Sequence, residues 1–198
     1  MRDVRPSSSR PTSAMPSPSP TPGPIPDLNE LVALFYHEPQ ELGVFEQVDE
    51  QEVPEPFHQL LAHHAHMTVT VEAFHKTPVD VQVLSTRREG MMYARKILLT
   101  RQTDGAVVQF GLVQLNFNYL APEVRDEIAL EQTPLGRVLI RRNVLREVQL
   151  VGLFRIEPGP DLQRHLGTRE GEVVYGRTAL IYCDGQPAVE LLEIVTPS

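Results

Sequence analysis

Hydrophobic and polar positions change rhythm several times along the chain. In "DLNELVALFYHE", Leu28, Leu31, Val32, Leu34 and Phe35 gather on one side of a 3.6-residue period, with Asp27 in place to cap a short helix. "EPFHQLLAHH" predicts a second helix, begun near Pro56. After it the period becomes two. "TPVDVQVLST" alternates, and "MMYARKILLTRQTDGAVVQFGLVQLNF" reads as two strands joined at Asp104-Gly105. "APEVRDEIALEQ" returns to helix, with Ala121 or Pro122 at its start and Glu123, Asp126 and Glu127 in its early turns. "TPLGRVLIRRN" predicts a turn and a short helix. "VLREVQLVGLFRI", "GEVVYGRTALIYC" and "QPAVELLEIV" complete the strands, the last two forming a hairpin through Asp184-Gly185, and "PGPDLQRHLG" carries another short helix.

Hairpins demand antiparallel pairing. The expected class is therefore α+β, with a single, mostly antiparallel sheet of six strands flanked by helices. No glycine-rich phosphate loop and no internal repeat interrupts this order. The folded domain is expected over residues 27–198. Before it, "MRDVRPSSSRPTSAMPSPSPTPGPIP" holds eight prolines and six serines in 26 residues, a composition that predicts a disordered tail over residues 1–26.

Composition narrows the partners. The net charge of -8 argues against a protein built around nucleic acid or an anionic membrane. Of the 18 basic residues only Lys76 and Lys96 are lysine. The rest are arginines, whose rigid fork fits a carboxylate. The single cysteine, Cys183, excludes an internal disulfide and a cysteine-based zinc cluster. No apolar run reaches membrane-spanning length, and no hydrophobic signal core opens the chain, so a cytoplasmic protein without stable membrane insertion is expected.

Few residues offer chemistry. His63, His64 and His66 stand together in "LLAHHAHMT". His63 and His66 are spaced to share a helical face, and zinc would need a further ligand from Glu72 or His75. No His-Glu-x-x-His pattern accompanies them, so the reading is a polar helix end at the rim of a cleft, with no metal and no cofactor. Arg95 shares a strand face with Tyr93 and Ile97. If it faces inward it needs a partner, either a bound carboxylate or an internal salt bridge with Glu190 or Glu193. Those two glutamates fall on opposite faces of a regular strand, and periodicity does not choose between them. The amides of Leu135 and Gly136, in "TPLGRVLI", would form an anion-binding nest if they open toward a cavity.

The order of "LLAHHAHMTVTVE", "YARKILLTRQTDG", "TPLGRVLI", "VVYGRTALIYCDGQP" and "LLEIVTP" resembles the chorismate lyase family, particularly its divergent chorismate-lyase-like branch, over Leu60 to Pro197. The resemblance implies an antiparallel sheet around a small cavity, and an enzyme that removes pyruvate from chorismate and leaves 4-hydroxybenzoate without metal or cofactor. Carried over by residue, it puts a backbone amide near Met67 and Thr68 on the ring carboxylate, with Arg95 gripping the same group. The main-chain amide of Leu135 would face the ligand, and Glu193 would hydrogen-bond the ring hydroxyl. One additional residue after Pro187 keeps Glu190 as a rival, and Arg177 has a secondary role. This chain departs from the family in extra residues between "LL" and "MT", where the histidines lie. It also has Gly111-Leu112 where the family has glycine-arginine.

On that reading Arg95 and the amides orient a dianion, Glu193 holds the hydroxyl, and a helical flap near residues 57–67 opens for product escape. The alternative is a non-catalytic sensor of aromatic carboxylates on the same fold. Such sensors usually carry a DNA-binding module, and the proline-rich leading segment contains no helix-turn-helix, which favours the enzyme. A third class, an interaction protein using the arginines and the tail, would bind no acid.

Overall fold

The structure is a computed structural model, and it describes residues 26–197. The proline- and serine-rich segment up to residue 25, where the disordered tail is expected, lies outside the described residues. In chain order the elements are α1 (Leu28–Ala33), β1 (Gly43–Val48), α2 (Phe57–Leu61), α3 (Met67–His75), β2 (Val79–Glu89), β3 (Met92–Arg101) and β4 (Val107–Asn116). They continue with α4 (Pro122–Ala129), α5 (Leu135–Arg141), β5 (Arg146–Pro158), α6 (Pro160–Leu166), β6 (Val174–Cys183) and β7 (Gln186–Val195).

Among the described residues the sheet has seven strands, in the order β1-β5-β6-β7-β4-β3-β2, and every pairing is antiparallel. The six-stranded expectation is corrected by β1, an edge strand paired only with β5. Its pattern is weak because an edge strand hides little: Val44 is exposed and Glu46 and Gln47 face solvent. The pattern also misses a helix, since strand periodicity is expected directly after the second one. α2 ends at Leu61, residues 62–66 form a bend, and α3 begins at Met67. The β-branched run "MTVTV" is helical because Met67, Val71 and Phe74 recur at helical spacing and pack on the sheet, and tertiary burial outweighs weak propensity. The β6–β7 hairpin matches its expectation. Asp184 and Gly185 both take positive φ, +49° and +78°, the tight turn this dipeptide favours.

Alternation divides the molecule into two layers of contact. Leu98, Phe110, Leu112, Leu192 and Ile194 face α1 and α6. On the other face, one cluster joins Val124, Ile128, Val138 and Leu139 to Val113, Leu115 and Leu191. A second joins Leu60, Leu61, Met67 and Val71 to Ile97, Leu99 and Val195. Burying each large aliphatic side chain contributes about 1.5–3 kcal/mol, so both clusters fix the helices firmly. Between them lies a cavity. Among the described residues no helix is long and apolar enough to cross a membrane.

Candidate functional site

The floor of the cavity is one cross-strand row and its neighbours. Ile97, Gly111, Glu193 and Arg177 stand side by side on β3, β4, β7 and β6. Gly111 keeps the middle of this row low: a Cβ there would lie 3.2 Å from the Ile97 side chain. A strand glycine weakens its strand, and here the room of its missing side chain is taken by Ile97. Arg95 comes from the adjacent row, with Val113 and Leu191, and Gln109 from the row beyond Gly111. The roof is formed by His66, Met67 and Thr68 at the start of α3 and by Pro134, Leu135 and Gly136 at the start of α5.

Arg95 is 1% exposed, and its Nε and Nη1 have no hydrogen-bond partner among the described residues. Burial holds its pKa below the ordinary arginine value, opposed by Tyr93 and Glu131. Tyr93 donates to Glu131 at 2.8 Å, so the carboxylate whose charge acts on Arg95 is hydrogen-bonded to Tyr93. Neither glutamate considered from the sequence pairs with it. Glu193 is taken by Arg177, whose Nε donates to Oε2 at 2.8 Å. Glu190 lies on the opposite face, where burial and the nearby Glu30 raise its pKa.

Arg177 also fastens the bend between α2 and α3. Its Nη1 donates to the carbonyls of Leu61 (3.3 Å) and His63 (2.8 Å), and its Nη2 to that of Ala65 (3.2 Å). The bend's histidines fall into distinct roles. His63 donates from Nε2 to the Leu60 carbonyl at 2.8 Å, so its Nδ1 accepts from the Ala65 amide and from Arg177. His64 donates from Nδ1 to the Val148 carbonyl at 3.2 Å. His66 lines the cavity with Nε2 buried and unpartnered, its pKa pushed down to about 4 by burial first and then by Arg146 and Arg177. The shared helical face expected for His63 and His66 is corrected, because both lie in the bend. Among the described residues no group of three or more His, Cys, Asp or Glu side chains could hold a metal ion.

The two roof segments meet closely. A Cβ on Gly136 would come 3.1 Å from Thr68 Oγ1 and 3.3 Å from His66 Cβ. The first bonds inside α3 are the Val69 and Thr70 amides on the His66 carbonyl, so the Met67 and Thr68 amides precede that ladder. The Leu135 and Gly136 amides likewise precede the bonds of Arg137 and Val138 to Pro134. Arg137 reaches across to Glu72 and ties α5 to α3. Arg95, Met67, Thr68, Leu135, Arg177 and Glu193 are thus brought together, and Glu190 is not. The cavity measures about 40 Å³, far below the roughly 300–1,000 Å³ of small-molecule pockets, so an aromatic acid requires its roof to move.

Sequence reasoning missed Gln109 and gave His66 no role of its own. Gln109 is 3% exposed, donates from Nε2 to Glu193 Oε1 at 3.4 Å, and leaves Oε1 unpartnered. Its signal was available: a glutamine on the same strand face as Gly111 and Val113, the one polar side chain in the run from Val107 to Val113, is a buried polar group.

No protein-family model matches the chain, and no curated protein does. Solved structures do show similarity. PhnF from Mycobacterium smegmatis is 13% identical, with a TM-score of 0.49 over 66% of this chain and 63% of that one, so the chain spans less than two thirds of that protein. A ligand-binding domain ascribed to a GntR-family transcriptional regulator from Bordetella bronchiseptica is 12% identical, with a TM-score of 0.45 over 60% of this chain and 85% of that one. The C-terminal domain of histidine utilization repressor from Pseudomonas syringae is 16% identical, with a TM-score of 0.43 over 59% of this chain and 90% of that one. The expectation of an enzyme, a metal- and cofactor-independent chorismate pyruvate-lyase, is corrected here. The finding behind the correction is that these similar structures include a regulator's ligand-binding domain and a repressor's C-terminal domain.

Proposed function

We propose that the chain is a non-catalytic binding protein for a small organic acid, an aromatic carboxylate in particular, held in the cavity over Arg95. One observation carries this reading: a guanidinium 1% exposed with two donor atoms unpaired. Such a group is costly to bury, and a carboxylate supplies charge-assisted hydrogen bonds that offset the cost. The amides of Met67, Thr68, Leu135 and Gly136 supply further donors in the same cavity. Its walls, among them Val113, Leu135, Ile181 and Leu191, suit a carbon skeleton.

The bend at residues 62–66 is the part of the roof that gives way. It has no regular structure and is held chiefly by Arg177 and by His64. A ligand that displaces it changes the surface around the cavity, which is what a sensor requires. Isothermal titration of the protein with benzoate and 4-hydroxybenzoate tests the reading. Saturable binding is expected, with loss of at least tenfold in Arg95→Met. Absence of binding to wild type, or undiminished binding to Arg95→Met, refutes it, and pyruvate released from chorismate refutes its non-catalytic part.

A further inference from the structure

We propose that the free edge of β1 is a docking surface for an extended, basic segment of another protein, which adds to the sheet as a further strand. Among the described residues the sheet ends on two edge strands, β1 and β2, and they differ. β2 is guarded. Its register slips between Val83 and Ser85, and its last residues include Arg87 and Arg88. A bulge and charged side chains spoil an edge for further pairing. β1 keeps six consecutive pairs with β5 and no shift, and its sequence holds no proline and no lysine.

The direction of the β1 backbone follows from the bond just before it. The Leu42 carbonyl accepts from the Gly159 amide at 2.8 Å, so Leu42 faces β5, and alternation along the antiparallel ladder turns Val44 and Glu46 the same way. The amides and carbonyls of Phe45 and Gln47 therefore point to the free edge, where no other described strand pairs with them. A groove beside this edge decides one face of the added strand. Leu28, Val32, Pro39, Phe45 and Phe154 line it, and the Phe45 and Phe154 rings meet edge to face at 6.2 Å. A strand alternates its side chains between two faces, so every second residue of the added segment is apolar and lies over this groove. Its other face meets Val44, 60% exposed, and the exposed Glu46.

Charge selects the partner. Seven carboxylates between Glu38 and Glu55 are all exposed, and no lysine or arginine occurs between Arg10 and Lys76. Arg155 reaches Glu46 at 3.6 Å, and His58 lies 3.3 Å from Glu50 and 3.6 Å from Glu55, which leaves the stretch strongly negative. Such a field draws in lysine and arginine side chains. The same charges oppose a second copy, because two β1 edges brought together would set like charges against each other. The chain's own leading segment is poorly suited to the place, since the eight prolines among residues 1–26 withhold the donors that an added strand needs.

Fluorescence polarisation of the full chain with a labelled Lys-Val-Lys-Val-Lys-Val-Lys peptide tests the proposal. Saturable binding is expected, about tenfold tighter than that of Lys-Lys-Lys-Lys-Val-Val-Val, which has the same composition without the alternation. Gln47→Pro removes one outward donor and leaves the bonds to β5, and it should weaken binding about tenfold. Glu46→Lys, the second variant, should weaken it about threefold or more. Hydrogen exchange at the Phe45 and Gln47 amides should slow when the peptide binds. Equal affinity for the two peptides overturns the proposal, as does affinity unchanged in both variants. Absence of binding, or exchange at Phe45 and Gln47 that does not slow, overturns it as well. So does self-association of the full chain in sedimentation that Gln47→Pro abolishes, because it assigns the edge to a second copy.

Discussion

Arg95 and Arg177 lie in adjacent rows of the same sheet face, each 1% exposed, yet their energetic situations are opposite. Arg177 is paired with Glu193 and satisfied by three carbonyls, whereas two donor atoms of Arg95 have no partner. Replacing Arg177 by methionine leaves Glu193 buried and uncompensated, and should cost about 3–5 kcal/mol in chemical denaturation. Replacing Arg95 by methionine removes an unpaired buried charge and should raise stability by about 1–3 kcal/mol while acid binding is lost. A large destabilisation in Arg95→Met would mean that the guanidinium is structural. The inward face of Arg95 was legible because it alternates with Tyr93 and Ile97. The partner of Arg177 was not, because a bulge decides it. From the hairpin, Cys183 pairs with Gln186 and Tyr182 with Pro187; Ala188 is then skipped, and Ile181 pairs with Val189. That single extra residue sets Glu193 opposite Arg177, and without it Leu192 would stand there. Periodicity contains no trace of such a shift.

Between elements, the cavity depends on how closely α3 and α5 approach. Gly136 permits this, since its missing Cβ is the space that Thr68 and His66 fill. In Gly136→Ala the new methyl group, 3.1 Å from Thr68 Oγ1 and 3.3 Å from His66 Cβ, requires these side chains to give by a few tenths of an ångström. We expect a loss of about 1–3 kcal/mol in stability, together with weaker binding of benzoate in calorimetry. Unchanged binding would show that these helix starts do not shape the ligand space. The sequence makes α5 visible through "TPLGRVLI", but it does not mark the break at residues 62–66. Three histidines and two alanines carry little hydrophobic rhythm there, and the bend exists because Arg177, far along the chain, collects its carbonyls. Likewise β1 hides too little apolar surface for alternation to reveal it.

For the whole molecule the histidines couple folding to pH. Burial is the leading cause that lowers the pKa of His63, His66, His75 and His165 below the ordinary histidine value, and His66 is pushed down to about 4. In the unfolded chain each titrates near 6.5. Above that pH neither state holds the proton and these groups contribute no slope. As pH falls below about 6.5 the unfolded state binds protons that the folded state refuses, so stability declines. Each fully titrating group contributes up to ~1.4 kcal/mol per pH unit, and His66 stops contributing once the folded state protonates it near 4. Glu190 acts in the opposite sense, because its raised pKa favours the folded state on acidification, but it is one group against four. His63 adds a structural consequence: a proton on Nδ1 would face the Arg177 guanidinium it now accepts from, and would loosen the bend. Urea denaturation at pH 7.5, 6.5, 5.5 and 4.5 should therefore show little change between the first two values and a progressive loss below them. His66→Gln should flatten that loss without abolishing it, since three other histidines remain. A stability that rises on acidification from pH 6.5 to 4.5 would show that these imidazoles are not held neutral by the fold.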